Sequence, residues 1–195
     1  MPRLPPPTTR IDFSLPHWAV ELTRGIDCLP ERSERVALAI ELARRNVHEK
    51  SGGPFGAAVF ECDSGRLLSV GVNLVTSTGL SILHAEMVAL SLAQRRLGSY
   101  DLAAEGFPDC ELVTSVEPCA MCFGALPWAG VRRLVCAARS SDAIAIGFDE
   151  GAKPPAWIAA LKQRGIEVVR DVEREAAIEV LQSYVEGGGP IYNPL

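Results

Sequence analysis

Two short segments constrain this chain more than any other feature. They are His84-Ala85-Glu86 and, about thirty residues later, Glu117-Pro118-Cys119-Ala120-Met121-Cys122. One histidine and two cysteines offer an imidazole nitrogen and two thiolates, and catalytic zinc sites use three such protein ligands while leaving a fourth position for water. His84, Cys119 and Cys122 are therefore the predicted ligands of one catalytic zinc ion.

The spacing of the two cysteines suits the first turn of a helix. Residues three apart lie on one side of that turn, where the positive end of the helix dipole favours thiolates. Pro118 fits the same geometry, because a proline at the start of a helix gives up only a donor that had no partner. We expect a strand covering residues 111–116 to deliver both cysteines to this helix.

Glu86 is the predicted proton carrier of the site. Bound zinc lowers the pKa of its water to about 7, which makes hydroxide available at neutral pH. The proton must still be transferred, and the carboxylate of Glu86 is placed to take it from the water and deliver it to the substrate and the leaving group. In this interpretation Glu86 is not itself a zinc ligand.

Other uses of a CxxC pair fit the sequence less well. A structural zinc site usually closes with four protein ligands, and the chain contains no second CxxC and no H-x3-5-H pair. A redox pair would leave His84 and Glu86 unexplained. A zinc-stabilised binding protein without activity is a further alternative, which predicts that chelation unfolds the chain and that Glu86 is dispensable.

Length and charge limit the class of partner. A chain of 195 residues most resembles one domain, large enough to bury its own core. With 19 basic and 24 acidic residues the net charge is −5, which argues against a nucleic-acid polymer as partner. The start of the chain lacks a signal-peptide pattern and no apolar run reaches the length of a membrane span, so we expect a cytoplasmic protein without a membrane partner.

We expect the remaining cysteines to be small core residues: Cys28, Cys62, Cys110 and Cys136.

Hydrophobic periodicity predicts alternating strands and helices. The predicted helices cover residues 33–47 with Ser33 as N-cap, 84–98, 119–128, 155–164 and 173–185, and the predicted strands cover 57–60, 66–72, 111–116, 132–138 and 166–169. The first two strands are joined by a turn and form a hairpin. The succession of strand, helix and strand after residue 110 favours parallel pairing, with the active site at the carboxyl ends of the strands.

The ends of the chain differ from its centre. Residues 1–16 contain five prolines and no hydrophobic period, so we interpret residues 1–32 as an N-terminal arm. Residues 33–186 form the predicted zinc-dependent domain. Gly187-Gly188-Gly189 then indicates a flexible hinge that directs the tail, residues 187–195, away from the domain.

Five motifs resemble those of the cytidine-deaminase-like superfamily, and within it the guanine deaminase branch. They lie between residues 33 and 150, whereas both ends of the chain match poorly. The motifs are Gly53-Pro54-Phe55-Gly56, Gly71-Val72-Asn73, His84-Ala85-Glu86-Met87-Val88-Ala89, Glu117 to Ala125 with Trp128, and Asp142-Ala143 with Gly147-Phe148-Asp149-Glu150. The resemblance implies a three-layer α/β/α fold with a central mixed sheet of about five strands, one zinc ion per subunit and a homodimer.

The last motif implies a second carboxylate in the site. In guanine deaminases a G-F-D-D segment supplies, at its fourth position, a carboxylate that binds the amide and amine edge of the base. Glu150 occupies that position here. The extra methylene of glutamate implies a different reach, and with it a shifted or different substrate.

The same resemblance assigns further substrate contacts. Asn73 would hydrogen-bond the base, Phe55 would stack on it, and Trp128 would help to wall the pocket. Ala85, between the histidine and Glu86, also belongs to the implied substrate-binding set. The C-terminal tail would close an active site, often that of the partner subunit, with Tyr192 as the contacting residue.

The resulting hypothesis is zinc-dependent hydrolysis of a free nucleobase, from guanine to xanthine and ammonia. Ammeline, an aminated triazine with a similar amide and amine edge, is a second candidate substrate. A deaminase of adenosine in tRNA, or of cytidine or cytosine, is the alternative. A tRNA enzyme should present a basic rim, and the acidic balance of this chain counts against it.

Overall fold

The computed structural model describes residues 8–193 and contains one mixed sheet. The strands are β1 (Gly56–Glu61), β2 (Leu67–Val72), β3 (Cys110–Val116), β4 (Arg133–Ala138) and β5 (Glu167–Val169). They lie in the order β2-β1-β3-β4-β5. β1 runs antiparallel to β2 and β3, while β4 runs parallel to β3 and β5. The predicted hairpin and the predicted parallel pair are both confirmed.

Helices cover both faces of this sheet. They are α1 (His17–Thr23), α2 (Arg32–His48), α3 (Val75–Thr78), α4 (Ala85–Leu97), α5 (Ala120–Ala129), α6 (Ser140–Ala145), α7 (Trp157–Gln163) and α8 (Arg174–Glu186). α2 and α8 pack on one face, and α4, α5 and α7 pack on the other. Successive side chains of a strand point to opposite faces, so Ala58 and Phe60 join the first core and Ala57 and Val59 the second. The predicted three-layer α/β/α fold is confirmed.

The directions of the strands place four chain segments at the same end of the sheet, which is called the carboxyl edge below: the start of β1 and the ends of β2, β3 and β4. Gly56, the first residue of β1, pairs with Val72, the last residue of β2. β3 and β4 end together, where Val116 pairs with Ala138. Because β1 is antiparallel to β3, the start of β1 lies at the carboxyl end of β3. The residues just beyond this edge are therefore brought together, although they are far apart in sequence.

The first long helix begins earlier than its sequence suggests. Its N-cap is Glu31 rather than Ser33, and the side chain of Glu34 accepts a hydrogen bond from the Glu31 backbone N–H at 3.3 Å. The expected cap at Ser33 is wrong because this reciprocal pair of glutamates satisfies the first turn instead. Three short helices, α1, α3 and α6, were not predicted, since four to seven residues do not establish a helical period.

Part of the N-terminal segment packs against the domain. Phe13, Leu15 and Trp18 contact the core on the α2 side. The indole N–H of Trp18 also donates to the hydroxyl of Ser51 at 3.0 Å. The proline-rich residues 1–7 lie outside the described residues, and the division of the chain at residue 32 remains a prediction.

The C-terminal tail turns back towards the sheet edge. The hydroxyl of Tyr184 donates to the carbonyl of Pro190 at 2.6 Å, and Gly189 lies so close to the Tyr184 ring that a Cβ there would be 2.3 Å from it. The amide of Asn193 donates to the carbonyl of Gly147 at 2.8 Å. The expectation that the glycines direct the tail away from the domain is therefore wrong for residues 187–193. Residues 194–195 lie outside the described residues.

Between residues 8 and 193, no helix combines the length and the apolar composition that crossing a membrane requires.

Candidate active site

Three ligand atoms of the right kind converge at the carboxyl edge of the sheet. His84 is the N-cap of α4 and Cys119 the N-cap of α5, with Cys122 in the first turn of α5. The Nδ1 atom of His84 lies 3.5 Å from the sulfur of Cys119 and 3.7 Å from that of Cys122. A tetrahedral zinc ion with ordinary bond lengths holds nitrogen and sulfur ligands about 3.5 Å apart. The three residues therefore fit a zinc ion.

The local electrostatics favour a thiolate at Cys119. Its pKa is lowered to about 4, chiefly because the Cys122 thiol donates a hydrogen bond to its sulfur and, despite burial, because His84 does so as well. Its place at the start of α5 adds the positive end of the helix dipole. One negatively charged sulfur is thus ready for a cation.

Glu86 lies beside the predicted zinc ligands and lines the same cavity. Its carboxylate is buried, and burial raises its pKa above the usual 4.5, with the nearby Cys119 charge adding to the effect. A raised pKa makes a carboxylate a stronger base, which suits a group that accepts a proton and returns it. Among the described residues the only cluster that could bind a metal is His84, Cys119 and Cys122.

A second buried carboxylate, Glu150, also lines the cavity. Burial is the main reason that its pKa is raised to about 7, and the charges of Cys119 and Glu86 raise it further. The hydroxyl of Ser140, at the start of α6, donates to Oε2 of Glu150 at 3.1 Å. Two carboxylates, Glu86 and Glu150, therefore share one cavity with the predicted metal ligands.

An aromatic wall and the amide of Asn73 also line the cavity. Phe148 packs edge-on against Phe55 and Tyr192, with ring centroids 5.0 and 5.2 Å apart. Asn73 is 1% exposed, and its Oδ1 accepts from the backbone N–H of Val75 at 3.2 Å. Its NH₂ group has no partner among the described residues and is left to donate to a ligand.

Tyr192 lines the cavity of its own chain. Its hydroxyl is buried and makes no hydrogen bond with any described residue. It lies against Gly53, where a Cβ would stand 2.1 Å from the hydroxyl oxygen. An unpaired buried hydroxyl is costly unless something fills its hydrogen bond, so a polar ligand atom in the cavity is the natural partner.

Two residues of the implied substrate-binding set lie elsewhere. Trp128 is 81% exposed and does not line the cavity, because it lies nine residues, about 13 Å along α5, beyond Cys119. Ala85 is buried in the core with its side chain packed between α4 and the sheet, and it too is absent from the cavity wall. Neither residue lines the cavity of the single chain, and their predicted contacts with the substrate remain predictions.

The cavity also contains residues to which no role was assigned from sequence. Glu117, Phe148, Asp149 and Asn193 line it. Glu117 is 4% exposed, accepts from Arg170 Nε at 2.5 Å and accepts from the Ser140 backbone N–H at 3.0 Å. Glu117, Phe148 and Asp149 belong to the motifs quoted above, and Asn193 follows Tyr192, so the sequence signal was membership of a motif or adjacency to a singled-out residue. Arg170, from the end of β5, had no signal of its own.

Comparison with known proteins agrees with this arrangement. The family profile "Cytidine and deoxycytidylate deaminase zinc-binding region" matches residues 30–138. The guanine deaminase of Bacillus subtilis is 40% identical over 112 residues, which cover 57% of this chain and 67% of that protein.

Two solved structures are similar over nearly the whole chain. The structure of the guanine deaminase from Nitrosomonas europaea has a TM-score of 0.87 and 48% identity, covering 91% of this chain and 97% of that chain. The structure of NE0047 in complex with 2,6-diaminopurine has a TM-score of 0.88 and 49% identity, covering 93% and 96%. The matched region contains all three predicted zinc ligands, and the chain belongs to the zinc-binding cytidine and deoxycytidylate deaminase family.

Proposed function

We propose that the protein hydrolyses guanine to xanthine and ammonia. The observation that carries this proposal is the second buried carboxylate, Glu150, which faces the same cavity as Glu86. The zinc-dependent reaction needs one proton carrier, and Glu86 supplies it. A carboxylate at Glu150 is explained by a substrate whose ring edge presents two adjacent N–H donors. Relatives named guanine deaminase, and a similar structure containing 2,6-diaminopurine, support the same substrate class.

The polar groups of the cavity complement guanine. Its N1–H and its exocyclic amine at C2 form an adjacent pair of donors, which suits the free oxygen of the Glu150 carboxylate. The amide NH₂ of Asn73 would donate to an acceptor on the ring. The aromatic side chains of Phe55, Phe148 and Tyr192 would enclose the faces and edge of the ring.

The groups of the site divide the reaction between them. His84, Cys119 and Cys122 would hold the zinc ion, which when bound supplies a hydroxide nucleophile from water at neutral pH. Glu86 takes one proton from that water and passes it to the ring nitrogen next to C2. It then carries the second proton to the amine at C2. A C2–O bond forms, the C2–N bond breaks, and the products are xanthine and ammonia.

We further propose that the protein is a homodimer with α5 at the interface. Met121, Gly124 and Trp128 lie on one side of α5, at positions i, i+3 and i+7, and all three are exposed in the single chain. An apolar helix face of this kind suits a second copy of the chain. Sedimentation should give a dimer for the natural protein and a monomer for Trp128→Glu.

We also propose a cytoplasmic location, which the chemistry of the site supports. All six cysteines are free, and two of them must remain reduced to bind a metal. Reduced thiols persist in the cytoplasm, whereas oxidising compartments convert them to disulfides.

Ammonia release across a panel of aminated rings tests the proposal. Guanine should be turned over fastest, and 2,6-diaminopurine, ammeline, cytosine, adenosine and a tRNA substrate should be compared at equal concentration. Ammeline is included because it offers the same pair of donors. No turnover of guanine beside rapid turnover of cytosine or adenosine would show that the assigned substrate is wrong.

A further inference from the structure

A chain of hydrogen bonds leads from a lysine to the Glu150 carboxylate, behind the cavity wall. Lys153 Nζ donates to Ser140 Oγ at 2.6 Å, and Ser140 Oγ donates to Glu150 Oε2 at 3.1 Å. Neither Lys153 nor Ser140 lines the cavity. We propose that they are positioning residues that orient the Glu150 carboxylate for the base. This inference rests on the proposed function, since it gives Glu150 its place in substrate recognition.

The chemistry of the three groups fixes the direction of this Lys153–Ser140 relay. An ammonium group can only donate hydrogen bonds, so the Ser140 oxygen must accept from Lys153. A hydroxyl has a single proton, and Ser140 therefore gives its proton to Glu150. Oε2 of Glu150 must therefore be the acceptor, so this oxygen is occupied by a hydrogen bond from the protein and not by one from a ligand.

The other oxygen of Glu150 remains for a ligand. Among the described residues, Oε1 makes no hydrogen bond, and Glu150 is part of the cavity wall. A glutamate has three rotatable bonds, and an unrestrained carboxylate could turn away from the base. Fixing Oε2 from behind leaves Oε1 in one orientation, where an N–H group of the base can meet it.

The relay also fixes the distance between Glu150 and the predicted zinc site. Lys153 Nζ donates to the carbonyl of Pro118 at 2.8 Å, one residue before Cys119. The backbone N–H of Ala120, one residue after Cys119, donates to the carbonyl of Glu150 at 2.8 Å. Two hydrogen bonds thus join the segment around Glu150 to the segment around Cys119, one to the residue before Cys119 and one from the residue after it.

Two further contacts hold the relay in place. The Lys153 ammonium lies 4.5 Å from the centre of the Trp157 ring, at cation–π distance. The backbone N–H of Ser140 donates to Glu117 at 3.0 Å. Ser140 therefore contacts both Glu117 and Glu150, and its hydroxyl has no freedom to adopt another partner without leaving Lys153.

Steady-state kinetics with guanine test this inference. Ser140→Ala and Lys153→Met remove the relay, whereas Ser140→Thr keeps the hydroxyl and Lys153→Arg keeps a cationic donor. Ser141→Ala and Lys162→Met are matched controls on exposed neighbours. Zinc content and melting temperature are measured for every variant, so that loss of metal or of fold is seen directly.

Removal of the relay should act mainly on recognition. We expect Ser140→Ala and Lys153→Met to lower kcat/KM for guanine about ten- to a hundredfold, mostly through KM, with stoichiometric zinc. Ser140→Thr and Lys153→Arg should stay within about threefold of the natural protein, a rescue that simple loss of packing would not produce. In the double variant Ser140→Ala/Lys153→Met, kcat/KM should fall no further than in the more impaired of the two single variants, because the two residues act in series.

Failure of the relay differs from failure of the proposed function. If the natural protein releases no ammonia from guanine, the proposed function is wrong, and the proposed role of the relay in binding guanine is wrong as well. If the natural protein is active and Ser140→Ala behaves like Ser141→Ala, the relay alone is wrong. Losses that multiply in the double variant would also overturn it, since independent residues give multiplicative losses.

Discussion

The side-chain amide of Asn46 donates a hydrogen bond to the backbone carbonyl of Asn73 at 2.8 Å, in a fully buried position. The same NH₂ group donates to the carbonyl of Gly53 at 2.8 Å, and the Ser51 hydroxyl donates to the Asn46 Oδ1 at 2.9 Å. One residue of α2 thus joins the segment before β1 to the segment after β2. This link holds Phe55 and Asn73 side by side at the edge of the sheet.

Replacing Asn46 by aspartate should destabilise the fold. The new carboxylate would keep the shape of the side chain but could not donate to either carbonyl. The Asn73 carbonyl would lose its side-chain donor, the Gly53 carbonyl would keep only the backbone N–H of Phe55, and a negative charge would be added between the two oxygens. We expect the free energy of unfolding in urea at pH 7 to fall by about 3 kcal/mol in Asn46→Asp. Asn193→Asp, whose amide also binds a carbonyl but in an exposed position, should cost less than about 1 kcal/mol. Equal losses in the two variants would contradict the importance of the buried link.

Replacing Gly53 or Gly56 by alanine should change the free energy of unfolding by different amounts. A Cβ at Gly56 would stand 2.2 Å from the backbone oxygen of Ala39, which cannot move without shifting α2. A Cβ at Gly53 meets the Tyr192 hydroxyl at 2.1 Å, and that side chain can swing away. Gly56→Ala should therefore lower the unfolding free energy by about 3 kcal/mol, whereas Gly53→Ala should cost about 1 kcal/mol or less.

Kinetics should separate these glycine variants as well. Displacing Tyr192 in Gly53→Ala should raise KM for guanine while the zinc content stays the same. A Gly53→Ala variant with normal KM would show that Tyr192 does not contribute to the closed cavity.

Glu86→Gln should separate metal binding from catalysis. The amide keeps the size of the side chain but cannot accept a proton from water. We expect stoichiometric zinc by elemental analysis and a kcat lowered by about a thousandfold. The exposed Glu105→Gln serves as control and should change neither quantity. Near-normal turnover in Glu86→Gln would contradict its assignment as proton carrier.

Tyr192→Phe should test the unpaired hydroxyl. Phenylalanine keeps the edge-on contact with Phe148 and removes a buried polar atom that has no partner among the described residues. The melting temperature without ligand should therefore be unchanged or slightly higher. KM for guanine should rise about tenfold if the hydroxyl binds the base. A lower melting temperature together with an unchanged KM would assign the hydroxyl a structural role.

The Asp142 carboxylate should make stability depend on acid pH. A bidentate hydrogen bond from Arg174 lowers the pKa of Asp142 below its usual 3.8, against the opposing effect of partial burial. A depressed pKa in the folded state stabilises the fold above pH 3.8, and this contribution is lost as pH falls through the folded pKa. Asp142→Asn should therefore be less stable than the natural protein at pH 7, and the gap should narrow steadily as pH falls below about 4. Urea unfolding across this range, with a chelator present, measures the difference; a gap that stays constant down to the lowest pH would exclude this ionisation as its cause.

Much of the fold could be predicted because its elements have clear periods. The parallel pair β3 and β4 followed from a strand, a helix and a second strand in succession, and the hairpin followed from its turn. The predicted zinc ligands also followed from residue type and spacing, since few patterns bring one imidazole and two thiolates to two helix starts. The short helices α1, α3 and α6 carried too few residues for such a signal.

Other positions could not be predicted from the sequence, for a different reason. Trp128 belongs to the same motif as the cysteines, but sequence proximity does not tell which face or end of a helix meets the cavity. The return of residues 190–193 depends on contacts between Tyr184, Pro190 and Gly189, which no local pattern announces. Ser140 and Lys153 lie close to Glu150 in sequence, but no local pattern shows that the chain folds so that their side chains form hydrogen bonds in series to its carboxylate.

The hairpin carries both recognition and hydrolytic groups. Phe55 and Asn73, the aromatic and amide contacts proposed for the base, flank the antiparallel hairpin, and His84 and Glu86 follow the same hairpin at the start of α4. Glu150, the carboxylate proposed to bind the base, comes instead from the segment after β4 and α6. The loop that joins Asn73 to His84 therefore couples ring preference to metal binding, and a redesign of the enzyme for another heterocycle has to preserve the length and the path of that loop.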